Sequence, residues 1–411
     1  MNSQHLLIDG IIWNGNSASS KGSTLYIDTS SISSYKGSNF PAFLSECDSA
    51  QAYVGSKTLI TSGLSLTLST QCSSGCSLYI LATSTNTYIS CGSTYFPCPS
   101  LIRAKRSPFY SMGLSSTFLL DPSADHVSDT SSLSFGSSTV SIMTCGSSGR
   151  AVFKPGGNTD INYNVFSLST GSLRLSSFDI EFVCSFGSDV SLVCITESGS
   201  VAIGGMSISS ASLDNKPLFQ LGSSGSISFT DVLNTFTSIT RTTGNGAVLE
   251  LDPLGFDLTI KSCSFTGCES ECGGAIYVRL DSKKLSLGSD ITFKNCHGGS
   301  KGDAIFISGG DSLSTNTLTL SSISMKDSSD DTPSSSYFYI TTTSLDKLTG
   351  YGRENWKELF SDYEEDLNPV YIGEYSTDKT IPLQLLALTP SDASQSIAYA
   401  SSCGVMGGWS F

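Results

Sequence analysis

Between about residue 165 and residue 340 the chain repeats itself, and this limits the fold more than any other feature of the sequence. Six segments align without gaps: 173–180, 201–208, 227–234, 258–265, 291–298 and 318–325. The first, third and sixth positions are apolar in all six, the sixth reading Phe178, Met206, Val232, Cys263, Cys296 and Ile323. The eighth is apolar except at Asn234 and Gly298. Alternation, a shift of three and alternation again describes two short strands meeting at a corner, because alternate side chains of a strand share a face. The second corner residue is Ser177, Gly205, Asp231, Ser262, Asn295 or Ser322, all small and several tolerant of a left-handed backbone.

A second alternating series lies between these segments: Phe166/Leu168, Val193/Ile195, Phe219/Leu221, Val248/Glu250, Ile276/Val278, Ile305/Ile307 and Phe338/Ile340, with Glu250 breaking the inward pattern. The interleaved series share a unit of about 29 residues. Three strands per unit predict an all-β chain folded as a right-handed parallel β-helix, a solenoid whose coils stack about 4.8 Å apart and whose like residues form inward columns. Six inward apolar residues per coil, at roughly 1.5–3 kcal/mol each when fully buried, offset chain ordering only when neighbouring coils cover both sides. A sandwich or propeller would place turns every 8–12 residues or so and favour hairpin dipeptides. Here Asn-Gly occurs only at Asn14-Gly15 and Asn245-Gly246.

Hydrophobic residues make up 38% of the 411 and charged residues only 14%, so serine, about a fifth of the chain, must wet the surface. A net charge of −14 argues against nucleic-acid partners, and the lack of an 18-residue apolar run argues against a membrane-spanning helix. Thirteen cysteines suit an oxidising compartment or thiols used as small core residues, and the odd number leaves at least one outside any intrachain pairing. The start at Met1 has no basic stretch before its short apolar run, so no secretory signal is expected there, although a cell-surface or extracellular location fits the cysteines and hydroxyls.

The stretch from Cys263 to Val278, with Cys268, Cys272 and then Gly273-Gly274-Ala275-Ile276, resembles the repeats of chlamydial polymorphic outer-membrane proteins and of pectin-lyase-like β-helix surface proteins of protists. Lys301-Gly302-Asp303-Ala304-Ile305 and Asn245-Gly246-Ala247-Val248 look like weaker copies. The resemblance spans about 175 residues and implies that the glycine pair opens an inward strand. It departs at the paired F-x-x-N element, Phe293-Lys294-Asn295 being one residue short, and no C-terminal barrel pattern follows. By the same resemblance Cys91 to Cys98 would open a repeat domain, and Cys403-Gly404 would begin another, making the chain a piece of a longer array.

The organisation expected is a β-rich segment over 1–90 that ends a preceding β-helix, a β-helix domain over 91–345, and an acidic cap and tail over 346–411. Trp356, Leu359, Phe360 and Tyr363 at helical spacing predict a short helix that covers an open solenoid end, with partner binding as the alternative. Cys263 and Cys296, placed on the same rung of consecutive coils, are either a disulfide or, the better reading, stacked thiols. Cys72 with Cys76, Cys91 with Cys98, and Cys268 with Cys272 are candidate local disulfides.

No catalytic constellation emerges. Asn158-Thr159-Asp160 and Asp330-Asp331 resemble polygalacturonase motifs but lie 170 residues apart, and that family's Gly-His-Gly and Arg-Ile-Lys are missing. Asp231, Asp252, Asp257, Asp281 and Asp290 are scattered, while Arg241 and Arg279 show no evident acidic partner. Three histidines, His5, His126 and His297, are too dispersed for a metal site. No catalytic, cofactor or metal residues are therefore expected. The sequence points to a non-catalytic, adhesin-like or structural scaffold that presents loops, the longest near Ser282–Leu287 and Ser308–Thr317, to a carbohydrate or another surface protein. A polysaccharide lyase or glycoside hydrolase is the alternative.

Overall fold

Strand segments with alternating apolar residues cannot bury both edges alone, so each turn of this chain pairs with the turn before and the turn after. The computed structural model describes residues 131–146, 149–288 and 290–310, and shorter stretches at 25–27, 52–54, 76–84, 91, 97–106, 110, 116–128, 312, 317–320, 323–326, 338–342, 360–361, 370–374 and 380–382. They fall into two units, Met1–His126 with Ser138–Ala151 and Val127–Ser137 with Val152–Phe411. The larger is a parallel β-solenoid of about 7 turns with about 28 residues per turn.

Three faces make each coil. The first carries Phe166–Leu168, Val193–Ile195, Phe219–Leu221, Leu249–Leu251, Ile276–Arg279 and Ile305–Gly310, paired in parallel in that order. The second carries Ser172–Ser176, Ser200–Gly204 and Ser226–Phe229, and then a separate set of Leu258–Ile260, Leu285–Leu287 and Leu318–Leu320. The third runs without a break through Asp179–Glu181, Ser207–Ser209, Asn234–Thr237, Cys263–Thr266, Ile291–Lys294 and Ile323–Lys326. A shorter fourth ladder, Ser212–Leu213, Thr240–Arg241, Glu269–Cys272 and His297–Lys301, lies beyond it.

The inward columns are dry. Ile180, Ile208, Phe236, Phe265 and Phe293 have no exposed surface, and the last three rings stack at 5.1 Å between successive centroids. Such a stack joins coils by ring packing as well as by backbone pairing. Left-handed corner residues turn the chain from the second face to the third at Ser177, Gly205, Ser262 and Asp290, and a second corner turns at Ser210, Ser238, Gly267 and Asn295. At Gly273, φ is +60° and a Cβ would strike the Ile276 carbonyl; at Gly274 it would strike the Asp303 carbonyl. The glycine pair thus opens the strand that begins at Ile276, with Ala275 and Ile276 fully buried.

The structure corrects several expectations. Val232 does not join the corner column of Phe178, Met206, Cys263 and Ile323. Four residues rather than two separate Phe229 from the column residue after the corner, so Val232 and Leu233 are extruded, 59% and 55% exposed, and Asn234 takes the buried place. Ile291 and Phe293 belong to the third face, where they pair with Cys263 and Phe265. Cys296 is buried, but at the second corner, level with Cys268 rather than with Cys263. The second-face strand of that coil is Leu285–Leu287, fully buried at both leucines and not a surface insert. On the first face the inward pair is Leu249/Leu251 and not Val248/Glu250; a one-residue slip reverses every side chain, and the correct register sends Glu250 outward.

Beyond residue 345 the paired segments are strands: Phe360–Ser361 pairs with Ile323–Ser324, and Val370–Glu374 with Phe338–Thr342. Phe360 therefore lies in a strand where a helix was expected; Trp356, Leu359 and Tyr363 are outside the described residues. The last of the described strands, Thr380–Pro382, runs antiparallel to Val370–Glu374.

In the smaller unit Cys76–Ile80, Ser116–Leu120 and Thr139–Thr144 form a parallel ladder, so strands on both sides of residue 90 pair directly. The short helix Leu101–Arg106 buries Leu101, Ile102 and Ala104. Cys91 and Cys98 are bridged, with Cα atoms 4.9 Å apart. Cys72 and the side chain of Cys76 lie outside the described residues.

Candidate functional site

The interruption at Val232–Leu233 has a counterpart on the solenoid surface. The second-face ladder that ends at Ser226–Phe229 does not pair with Leu258–Ile260. Between them lies a groove of about 400 Å³, lined on one coil by Lys216, Gln220, Gly222 and Ser223 and on the next by Glu250, Asp252 and Phe256. It reaches the first-face column at Leu221. Leu168, Ile195, Leu251 and Val278 in that column are buried, whereas Leu221 is half-exposed. The loops approach closely at Gly255, where a Cβ would sit 2.8 Å from the Ser223 carbonyl oxygen.

The charges of the groove are organised from beneath. The Arg241 side chain, 4% exposed, donates from Nη1 to Glu250 Oε2 at 2.8 Å and to the Asn245 carbonyl, and from Nη2 to the Asn215 carbonyl at 2.5 Å. Its Nε is buried with no partner among the described residues. Arg279 pairs with Asp252, and Lys216 lies 3.7 Å from Asp189 on the preceding coil. The two arginines thus have acidic partners that the scatter of carboxylates along the chain concealed. Next to Glu250 in the outward file stands Tyr277; burial first, and then the charges of Asp252, Cys272 and Glu250, push its phenol up to about 12. At neutral pH it is a hydrogen-bond donor.

Tyr277, Phe306 and Tyr339 continue the file as a ring stack with centroids 5.2 and 5.3 Å apart. Between successive rings the facing surfaces are filled by one another, so this ladder welds three coils together.

Chemically the groove offers an amide, an ammonium group, two arginine-paired carboxylates and the half-buried ring of Phe256. Among the described residues no cluster of three His, Cys, Asp or Glu could hold a metal ion, and no helix is long and apolar enough to cross a membrane. Asp160 is exposed just after the 155–158 turn, outside the groove, and Asp330-Asp331 fall outside the described residues. Cys268 and Cys272 are not bridged: the Cys268 thiol is fully buried in the second-corner column with Ala211, Ile239 and Cys296. Neither groove loop was singled out by sequence. The signal that could have found it is the coil offset itself, since Asp189 and Lys216, and Asp252 and Arg279, stand 27 residues apart.

Fold and groove together define a parallel β-solenoid with a polar cleft at a break in one face. Comparison with protein-family models, with curated proteins and with solved structures returns no match for the chain.

Proposed function

We propose that the protein is a non-catalytic β-solenoid scaffold of the cell surface or the extracellular space, adhesin-like, which binds carbohydrate in the groove between the 221–225 and 251–257 loops. The observation that carries this reading is the pairing of both groove carboxylates with arginines, Glu250 with Arg241 and Asp252 with Arg279. Paired charges of this kind are fixed in position and close to neutral in sum, which suits hydroxyl recognition better than proton transfer. Gln220 and Lys216 supply donors and an acceptor, and Phe256 supplies an apolar wall. The resemblance to β-helix surface repeats supports the same reading.

The test is a glycan-binding screen of the purified protein beside Ser223→Trp, which fills the groove from an exposed position. Saturable binding by the parent that falls at least about tenfold in the variant supports the proposal; equal binding by the two overturns it. A second reading, a carbohydrate-active enzyme, is favoured by the meeting of Glu250 and Asp252 in one groove. Turnover of an acidic polysaccharide that is abolished by Asp252→Ala or Glu250→Ala would establish it in place of the first.

A further inference from the structure

Two buried thiols take no part in the groove. Cys268 and Cys296 each follow a left-handed corner residue, Gly267 at φ 61° and Asn295 at φ 50°. The residues after them, Glu269 and His297, are direct register partners, so the two cysteines stand side by side on consecutive coils. Adjacent parallel strands lie about 4.8 Å apart, inside the Cα separation of roughly 4.4–6.8 Å that a disulfide spans. Their side chains take equivalent positions one coil apart. Cys268 Sγ donates to the Phe236 carbonyl at 3.8 Å, and Cys296 Sγ donates to the Phe265 carbonyl at 3.6 Å, Phe236 and Phe265 being register partners themselves. The Cys296 thiol therefore leans toward the coil that holds Cys268.

No other cysteines among the described residues match in this way. Cys263 is flanked in its column by Asn234 and Ile291, Cys194 by Ser167 and Gln220, and Cys272 registers with Lys301.

We propose that Cys268 and Cys296 form a disulfide site, closed while the chain folds in the presence of a low-molecular-weight disulfide such as oxidised glutathione, which bolts two consecutive coils together. The Cys296 thiolate attacks one sulfur of oxidised glutathione, breaking its S–S bond, forming a mixed disulfide and releasing one glutathione. The Cys268 thiolate then attacks the Cys296 sulfur, forming the protein S–S bond and releasing the second glutathione. The two cysteine protons end on the two glutathione thiols, and the two electrons lost by the cysteines reduce the oxidant. Folding is the moment for this exchange. Once the coils are closed Cys268 is 0% and Cys296 5% exposed, and burial pushes the Cys268 thiol well above its ordinary range, which starves the reaction of thiolate.

The experiment refolds the reduced, denatured full chain in a glutathione redox buffer, alkylates remaining thiols, and digests without reductant using trypsin and a glutamate-specific protease before mass spectrometry. A Cys263→Ser variant treated in parallel leaves Cys268 as the only cysteine of the 262–269 peptide. The expected product links that peptide to the 295–301 peptide, enriched at least about tenfold over the link from Cys268 to Cys272, which chain proximity favours in denaturant. Recovery of Cys268 and Cys296 as alkylated thiols, or a dominant link from Cys268 to Cys272, would overturn the proposal.

Discussion

The coil that begins at Ile227 and the one that begins at Leu258 are neighbours built from the same kinds of residue, yet one is interrupted and the other is not. In the second, two residues carry the chain from Ile260 to Cys263, the latter of them the left-handed Ser262. In the first, four carry it from Phe229 to Asn234, and the second-face ladder stops. The third face passes through both coils unchanged, Phe236 pairing with Ile208 on one side and Phe265 on the other. What the molecule preserves is the column; the length of a coil is adjustable at its corners. The cost falls on Asn234, a polar side chain in an apolar file, and is offset by its bonds: Oδ1 accepts from the Met206 N–H at 3.1 Å and Nδ2 donates to the Val232 carbonyl at 3.1 Å.

This contrast can be broken by substitution. Phe265→Ala removes the middle ring of the three-ring stack and is expected to cost about 3–5 kcal/mol in urea unfolding, whereas Phe229→Ala, on the strand with a paired neighbour on one side only, should fall at or below the lower end of that range. Equal losses would mean that the break in the ladder does not loosen the core.

Asn234→Ala strands the Met206 N–H and should cost about 1–3 kcal/mol, while Cys263→Ala at the same place in the next coil should cost less. The smaller unit supplies a pH control outside both coils. His126 is buried, its Nε2 2.7 Å from the Asp121 carbonyl, and desolvation holds its pKa below the ordinary 6.5. The unfolded imidazole takes up a proton first, so stability should fall as pH drops through 6.5, by at most about 1.4 kcal/mol per pH unit; the drop should flatten in His126→Gln. The smallest effect is expected from deleting Val232 and Leu233. The deletion restores the two-residue corner with Asp231 in the place of the left-handed residue, and the melting temperature should stay within the shift that about 0.5 kcal/mol produces.

The columns were legible in the sequence because period-two alternation survives any change in loop length. Register was not legible where two readings were equally apolar. Val248 and Leu249 are both buried, and only the outward turn of Glu250 separates the two alignments. Ile291-Thr-Phe293 and Leu285-Ser-Leu287 show the same alternation, and nothing local says which belongs to which face. The groove was hidden for a different reason: its residues are held by ion pairs across coils, and a charge pair has no periodic signature until the coil offset is known. With 27 residues as the offset, Lys154–Glu181, Asp189–Lys216 and Asp252–Arg279 can all be picked out of the sequence.

The phenylalanine stack has a mechanical consequence. A solenoid held mainly by contacts between neighbouring turns would yield to a pulling force one turn at a time, each release paying out about 95 Å for some 28 residues at roughly 3.4 Å apiece. Phe236, Phe265 and Phe293 clasp three turns with a single column of rings, so that stretch should give way last and in one larger step, setting the load the protein can bear.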